Sequence, residues 1–381
     1  MKPKVAIVRG KFLNAYEMQF FEPLTAHYNL TAFGSLTCFH DRFAFPVIKL
    51  PCPLDVPDFF GKLPILNRLF IDAHYLFGLE NRLVGFDLVH TAETYFHYTQ
   101  QCLNAKRRGY VRKVIATVLE NIPFNNEGIW GRHGFKKRAR RELDHIIALT
   151  NKTKEALLEE GANPNKISVI GHFVDTRRFH PSAAASKRRK SENPAITVLF
   201  SGRLEDYKGV FDILEAAKRM THDTNLHTYR IQWIFVGEGL ALGRMLAIEK
   251  QNGLVPFVTH LSAAYDRMPE MYEKADIFVA PSKPTKTYDE QYCTSLLEAQ
   301  AMGLPIVSTK TGGIPENVGD AAVLIKPGDP IRLAKEITSF IVNPKKREQY
   351  ATYARRRAET VHDIRIGANK LSNLYNIVLS G

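Results

Sequence analysis

The run Asp276-Ile277-Phe278-Val279-Ala280, then Pro281-Ser282, then Glu290-Gln291-Tyr292-Cys293-Thr294-Ser295-Leu296-Leu297-Glu298 decides the fold. A short apolar run that stops at Pro-Ser reads as a buried strand, and the amphipathic run Leu296 to Met302, closed by Gly303, reads as a helix. Glu290 then sits in a loop at the carboxyl end of a strand, with Glu298 in the first turn of the next helix. Open α/β sheets bind ligands at that edge, and free amide N–H groups at a helix start favour an anion. A plainer reading stands beside this one. Ser295 and Glu298 match a capping box, and Glu290 alone reads as a solvated loop carboxylate.

Working outward, the same strand–loop–helix pattern recurs. Ala195 to Phe200 is a strand pattern, and Ser201 to Gly209 a loop with Gly202, Arg203, Lys208 and Gly209. Val210, Ile213, Leu214 and Ala217 then recur at helical spacing. An arginine fork and a lysine five residues apart suit a pyrophosphate, although surface Arg and Lys are common. Ile231 to Val236 is followed by Gly237-Glu238-Gly239, and Pro305 to Ser308 by the turn Thr311 to Glu316. Val323 to Lys326 completes the strand set. Strand exits at 201, 237, 282–294 and 311 would line one edge of one sheet, offering cations for a diphosphate and carboxylates for hydroxyls.

The first half repeats the alternation. Lys4 to Arg9, Phe86 to His90, Val114 to Leu119, His145 to Thr150 and Ile167 to Ile170 are strand patterns, with a helical stretch expected from Gly10 through Glu22. Strands alternating with helices predict parallel sheets covered on both faces. Length favours two domains: 1–180, a basic linker at 181–194 without apolar periodicity, and 195–363, with a final helical segment at 364–381. The four cysteines show no metal spacing and read as reduced thiols of a cytosolic protein. The apolar run at the start is too short for a signal peptide, and no run approaches a membrane span.

The net charge is +13. Residues 1–180 hold 25 Lys+Arg against 17 Asp+Glu, so most of the excess lies there. Lys106-Arg107-Arg108 with Arg112-Lys113, and Lys136-Lys137-Arg138 with Arg140-Arg141, read either as solvated helix faces or as contacts to an anionic membrane, an anionic acceptor or nucleic acid.

As an ordered set, Gly202-Arg203-Leu204 with Lys208-Gly209, Val236-Gly237 with Gly239, Tyr272 with Ala275-Asp276, Glu290 with Glu298, Gly303 with Pro305, and Gly312-Gly313 with Pro315-Glu316 resemble the retaining GT-B glycosyltransferases of glycosyltransferase family four (glycosyl transferases group 1). The motif set spans about 130 residues; the first half resembles the family more loosely, through its strands and Gly10. The resemblance implies two Rossmann-like domains facing across a cleft that closes over its substrates, the last helix crossing back to the first. It implies a hexosyltransferase using a nucleotide diphosphate sugar as substrate and no cofactor. Arg203 and Lys208 would hold the diphosphate and stabilise leaving-group charge. Glu298 would accept from ribose hydroxyls, and Glu290 would contact the transferred sugar. Main-chain amides of Tyr292, Cys293 and Thr294 would reach sugar and phosphate. His260 and Leu261 would lie near the base, and Gly10, with Gly202 and Gly237, near the phosphates.

Three positions depart from the family pattern. Cys293 stands where Gly is usual, Ala92 followed by Glu93 where many members have His, and a single Gly10 where Gly-Gly is frequent. Glu93 is the acceptor-side candidate, and His90 reads as a core histidine. The family's mechanism is a front-face displacement in which the leaving phosphate helps to deprotonate the acceptor. No Asp-x-Asp pair and no ligand cluster points to a metal. The expected acceptor is a glycan or lipid-linked glycan, for cell-envelope polysaccharide or glycolipid synthesis at the inner face of a membrane. A nucleotide-sugar epimerase of the same architecture would act without an acceptor. A nucleic-acid-binding module, which is not expected, would need a continuous cation track.

Overall fold

The computed structural model describes residues 2–190 and 195–381. The chain divides into two compact units: Met1–Phe173 together with Ile364–Gly381, and Val174–Asp363.

In the first unit, seven strands form one sheet: β1 (Lys4–Gly10), β2 (Asn29–Ser35), β3 (Val47–Leu50), β4 (Phe86–Ala92), β5 (Val111–Val118), β6 (His145–Ala148) and β7 (Ile167–Val169). All pairings are parallel, in the order β3-β2-β1-β4-β5-β6-β7. A parallel sheet is covered on both faces, so its strands read as unbroken apolar runs. Along β1, Ala6 and Val8 enter one core, and Val5 and Ile7 the other. The second core also takes Leu371, Leu374 and Tyr375 from the final helix Ile364–Ser380. His90 ties that helix in: its Nδ1 lies 2.7 Å from Tyr375 Oη and its Nε2 2.7 Å from Thr117 Oγ1. Burial holds the imidazole well below its ordinary pKa, so His90 is a neutral core histidine.

The second unit is a six-stranded sheet: β8 (Ala195–Ser201), β9 (Arg230–Val236), β10 (Val258–Leu261), β11 (Ile277–Ala280), β12 (Ile306–Thr309) and β13 (Val323–Ile325). It is again all parallel, in the order β10-β9-β8-β11-β12-β13. The order of succession reverses between β8 and β11, and ligands of doubly wound sheets bind at the carboxyl ends of such a pair. The helix Val210–Thr221 buries Val210, Ile213, Leu214 and Ala217 as its spacing predicts.

Three expectations are corrected. The stretch after Gly10 is not one helix: only Ala15–Met18 is helical, and a 3₁₀ turn follows at Glu22–Ala26, with Pro23 unable to donate in a continuing ladder. The first unit ends at Phe173 and not at 180. Within the expected linker, Ala183–Lys190 is a helix of the second unit. The physical reason is Arg188, which clasps Asp276 through bonds of 2.8 and 2.9 Å. The remainder of that stretch, 191–194, lies outside the described residues. Among the described residues, no helix is long and apolar enough to cross a membrane.

Candidate functional site

The loops leaving β8, β9, β11 and β12 interlock through glycines. Gly209, at φ +77°, starts the helix Val210–Thr221, and a Cβ there would collide with the Pro281 carbonyl after β11. A Cβ at Gly312, also at positive φ, would collide with the Glu290 carbonyl, which accepts from the Gly313 amide at 2.8 Å. Only Gly permits both the left-handed backbone and this approach. In the same way Gly237 packs on the Gly202 carbonyl. These contacts fix the loops as one platform at the carboxyl edge of the sheet.

On that platform, across the reversal between β8 and β11, Lys208 Nζ donates to Glu290 Oε2 at 2.6 Å. Ser282 Oγ donates to the same oxygen at 2.7 Å, and the ammonium lies 5.4 Å from the Tyr288 ring centroid. Glu290 is buried. Burial alone would raise its pKa, but the charge and hydrogen bond of Lys208, with bonds from Ser282 and Tyr288, bring it below the ordinary value. Burial would lower the Lys208 pKa, and Glu290 overrules that and raises it. Both groups are therefore ionised. Glu290 is held as a carboxylate beside a fixed cation, not as a solvated loop residue.

Glu298 is not the third residue of a capping box. The helix Thr294–Ala301 begins two residues earlier than expected, its N-cap is Cys293, and no side chain caps it. Glu298 lies in the second turn, where Tyr272 Oη donates to its Oε2 at 2.6 Å. Burial raises its pKa to about 7, against the opposing pull of the Tyr272 bond and the Arg178 charge. The backbone explains the shift in register: Cys293 takes φ +56° and ψ 77°, the left-handed conformation that Gly would adopt more easily. Asn317 Nδ2 holds this strained turn by donating to the carbonyls of Tyr292 and Cys293. The amides of Thr294 and Ser295 open the helix, where backbone donors lack intrahelical acceptors.

Arg203 is exposed and lies over the Tyr207 ring at 5.3 Å, on the loop that carries Lys208. Gly202 and Gly237 lie in the interlocked loops, and the Gly237 amide donates to the Leu261 carbonyl at 2.9 Å. The His260 ring is committed elsewhere: Nε2 is 2.8 Å from Glu249 Oε1, and the ring stacks on Phe235. A contact from this position to a base would have to come from the backbone. Sequence reasoning missed Ser282 and Tyr288 as partners of Glu290 and Lys208. It quoted Tyr272 as a motif residue without its role; the spacing from Tyr272 to Asp276 was the available signal.

In the first unit, Gly10 ends β1 at φ +53°, with a Cβ there 3.1 Å from the Tyr98 ring. Glu93 follows β4 at φ +57°. Its Oε1 accepts the Leu119 and Glu120 amides at 2.8 and 3.2 Å, while its buried Oε2 has no hydrogen-bond partner among the described residues. Burial and the neighbouring Glu120 raise its pKa to about 8. The basic clusters are largely paired with carboxylates of the same unit. Lys136 Nζ lies 2.5 Å and Arg140 Nη1 2.7 Å from the two oxygens of Glu160, and both cations are buried. Lys106 pairs with Asp144, and Arg107, Arg138 and Arg141 gather on Glu142. Large apolar side chains are exposed as well. The helix Lys62–Phe70 buries only Leu66, and Phe59, Phe60, Leu63, Ile65 and Leu69 face outward. Trp130, 87% exposed, stands beside the end of that helix, where Gly131 packs on Ile71.

Among the described residues, no group of three His, Cys, Asp or Glu side chains is arranged to hold a metal. Two family models match the chain: Glycosyltransferase Family 4 over residues 39–178, and Glycosyl transferases group 1 over 183–357. A D-inositol 3-phosphate glycosyltransferase of Geodermatophilus obscurus is 32% identical over 57% of this chain and 49% of its own length. A component of the phosphatidylinositol N-acetylglucosaminyltransferase of Arabidopsis thaliana is 24% identical over 75% of this chain and 58% of its own. The chain spans about half the length of the curated relatives it matches. The crystal structure of Anabaena HepE in complex with UDP and glucose superposes with a TM-score of 0.75 at 18% identity, over 98% of this chain and 99% of that one. The shared fold is the GT-B architecture of two Rossmann-like parallel-sheet domains.

Proposed function

We propose that this chain, which belongs to glycosyltransferase family four, moves a sugar from a nucleoside diphosphate sugar onto a glycan or lipid-linked acceptor with retention of anomeric configuration. The observation that carries the reading is the Lys208–Glu290 ion pair at the strand-order reversal of the second sheet, beside the opening amides of the helix Thr294–Ala301. An anionic group is stabilised there by the ammonium of Lys208, the guanidinium of Arg203 and backbone N–H donors. The carboxylate of Glu290, kept ionised, meets positive character at the anomeric carbon. Glu298 and Tyr272 receive the ribose hydroxyls.

In the step we infer, the bond from the anomeric carbon to the diphosphate breaks as the acceptor oxygen bonds on the same face. The acceptor proton passes to the departing phosphate oxygen. The charge that grows on the diphosphate is met by Arg203 and Lys208, and the reading invokes no metal. UDP and glucose in the HepE crystal make UDP-sugars the first donors to test. The inositol phosphate and phosphatidylinositol in the relatives' names support a polyol or lipid-linked acceptor.

Peripheral binding at the inner face of an anionic membrane is part of the same proposal. Its support is the helix Lys62–Phe70, apolar on its outward side with Trp130 beside it, in the half of the chain that carries most of the positive charge. Such a helix lies in the plane of a bilayer interface.

The testing experiment is thermal shift against nucleoside diphosphates and their sugars, with and without magnesium. Stabilisation by one base and sugar, lost in Arg203→Ala, is expected. No stabilisation by any donor overturns the reading.

A further inference from the structure

The strand order of the first sheet reverses between β1 and β4. Ligands of doubly wound sheets bind at the carboxyl ends of such a pair. Phe12 lies in the loop that leaves β1, and Phe96 in the loop that leaves β4. His74, from the segment between the helix Lys62–Phe70 and β4, joins them there. Its ring centroid lies 5.0 Å from that of Phe12 and 4.3 Å from that of Phe96, and the two phenyl rings are 5.7 Å apart, so the three form a triangle. The Tyr98 amide donates to the His74 carbonyl at 3.0 Å. The Tyr98 ring stands edge-on to the imidazole at 6.3 Å and also faces Gly10, the last residue of β1.

One nitrogen of the imidazole is committed and the other is not. Nδ1 lies 3.1 Å from Asp72 Oδ2. Asp72 is wholly buried, pairs with Arg132 at 2.7 Å, and accepts the amides of His74 and His97 at 3.2 and 2.9 Å. A carboxylate at Nδ1 fixes the proton there, and the neutral ring then presents a lone pair at Nε2. That nitrogen is buried and has no hydrogen-bond partner among the described residues; the same is true of Tyr98 Oη. A buried polar atom left unmet is destabilising, and the fold bears that cost where the partner comes from outside the chain. The rings beside it narrow the partner. Phe12 is 40% exposed, and Phe39, 6.1 Å from it, is 52% exposed. Aromatic faces with one oriented polar group suit a small ring that carries hydroxyls.

We propose that His74 is a contact of the first domain to the substrate that receives the sugar: its Nε2 takes a hydrogen bond from a hydroxyl of a polyol or sugar ring that packs against Phe12. Asp72 is the positioning residue, which holds the tautomer and the ring. The plain alternative is a structural histidine whose Nε2 is met by one trapped water. It accounts for the bond to Asp72, but not for exposed aromatic rings beside an unmet nitrogen at the strand-order reversal. Only the role of the ligand as sugar-receiving substrate rests on the transfer reading. The hydroxyl contact itself rests on the first sheet and shares no side chain with Lys208, Glu290 or Glu298.

Long-range proton–nitrogen spectra of the full chain labelled with ¹⁵N-histidine test the contact, with myo-inositol and methyl α-D-glucopyranoside as probes. An unprotonated Nε2 in the free chain is expected, and its resonance should move saturably with at least one probe. His74→Phe keeps three rings at the reversal but offers no lone pair. It is expected to weaken that probe by about tenfold or more, read from saturation transfer to the probe's own protons. His74→Gln, which restores a polar group, should recover part of the loss, and both variants should keep the thermal shift given by nucleotide-sugar donors. A protonated Nε2 in the free chain overturns the proposal. So does a resonance that neither probe moves at tens of millimolar, or a water cross-peak at Nε2 that persists in saturating probe. Equal affinity in the wild type and His74→Phe would put the polyol elsewhere and overturn it too. A His74 response in a chain that no donor stabilises would leave the hydroxyl contact standing and reject the donor reading alone.

Discussion

Lys208 and Glu290, 82 positions apart in the chain, meet at 2.6 Å where the strand order of the second sheet reverses. Neither loop could hold its charge alone in a buried setting; each ionises because the other does. Lys208→Ala therefore leaves an unpaired buried carboxylate and is expected to cost roughly 3 kcal/mol. Pairing Lys208→Ala with Glu290→Gln should recover much of that loss, a coupling measurable by a double-mutant cycle in urea. The sign of the pH dependence should also change. In the wild type the depressed Glu290 pKa contributes stability that is lost as pH falls through the folded value. In Lys208→Ala, burial raises that pKa, and stability is lost as pH rises. Glu290→Gln alone is expected to reduce turnover far more than donor affinity.

Burial raises the Glu298 pKa to about 7, into the neutral range. The folded pKa stands above the unfolded one. Its contribution to stability is thus complete below the unfolded pKa and lost as pH rises through about 7. Donor binding has the opposite slope, because ribose hydroxyls donate best to the ionised carboxylate. Donor affinity is expected to rise between about pH 6 and 8, and Glu298→Gln to flatten the profile. A wild-type affinity that does not change across this range would remove Glu298 from the donor contact.

Glu93 carries the larger shift, to about 8, and its raised pKa also opposes folding as pH rises. Glu93→Gln keeps an acceptor for the Leu119 and Glu120 amides but cannot ionise. Its stability is expected to be flatter between pH 5 and 8 than the wild type's, by an amount on the order of 2 kcal/mol. Chemical denaturation at three pH values measures this.

The basic clusters call for different variants from those that charge alone suggests. Lys136→Ala leaves Glu160 paired with Arg140, and Arg140→Ala leaves it paired with Lys136, so only the double variant strands the carboxylate and is expected to cost about 3 kcal/mol. Lys137→Ala, on the exposed side of the same helix, should change stability by less than ~0.5 kcal/mol. Vesicle binding should respond instead to Phe60→Ser with Leu69→Ser. Sedimentation with anionic vesicles that is unaffected by this pair would reject the helix Lys62–Phe70 as the membrane contact.

Cys293 spends backbone energy on a conformation that Gly adopts freely. Cys293→Gly is expected to leave donor affinity intact and to raise stability by up to ~1 kcal/mol, part of the relief being returned as unfolded-chain entropy. A clear loss of stability would mean that the thiol's packing outweighs the strain.

The strands and their exits were legible because a strand buried on both faces leaves an unbroken apolar run, as in Ile277–Ala280, and the glycines between exits mark close backbone approach. What escaped the sequence was set by contacts between distant residues. Ser295 and Glu298 have the spacing of a capping box, but a left-handed Cys293, held by Asn317 from a later helix, takes the cap. Lys136 and Arg140 look like free charge because Glu160, which pairs with both, lies 20 or more positions away. His260 lies near the carboxyl end of β10, but Glu249, eleven positions earlier, claims its ring.

The division of the chain also orders its birth. Val174–Asp363 is one segment inserted into a unit whose helix Ile364–Ser380 is synthesised after it. The domain begun first on the ribosome must therefore wait, with Val5, Ile7, Tyr28 and His90 lacking their partners on that helix, until the domain begun second has emerged whole.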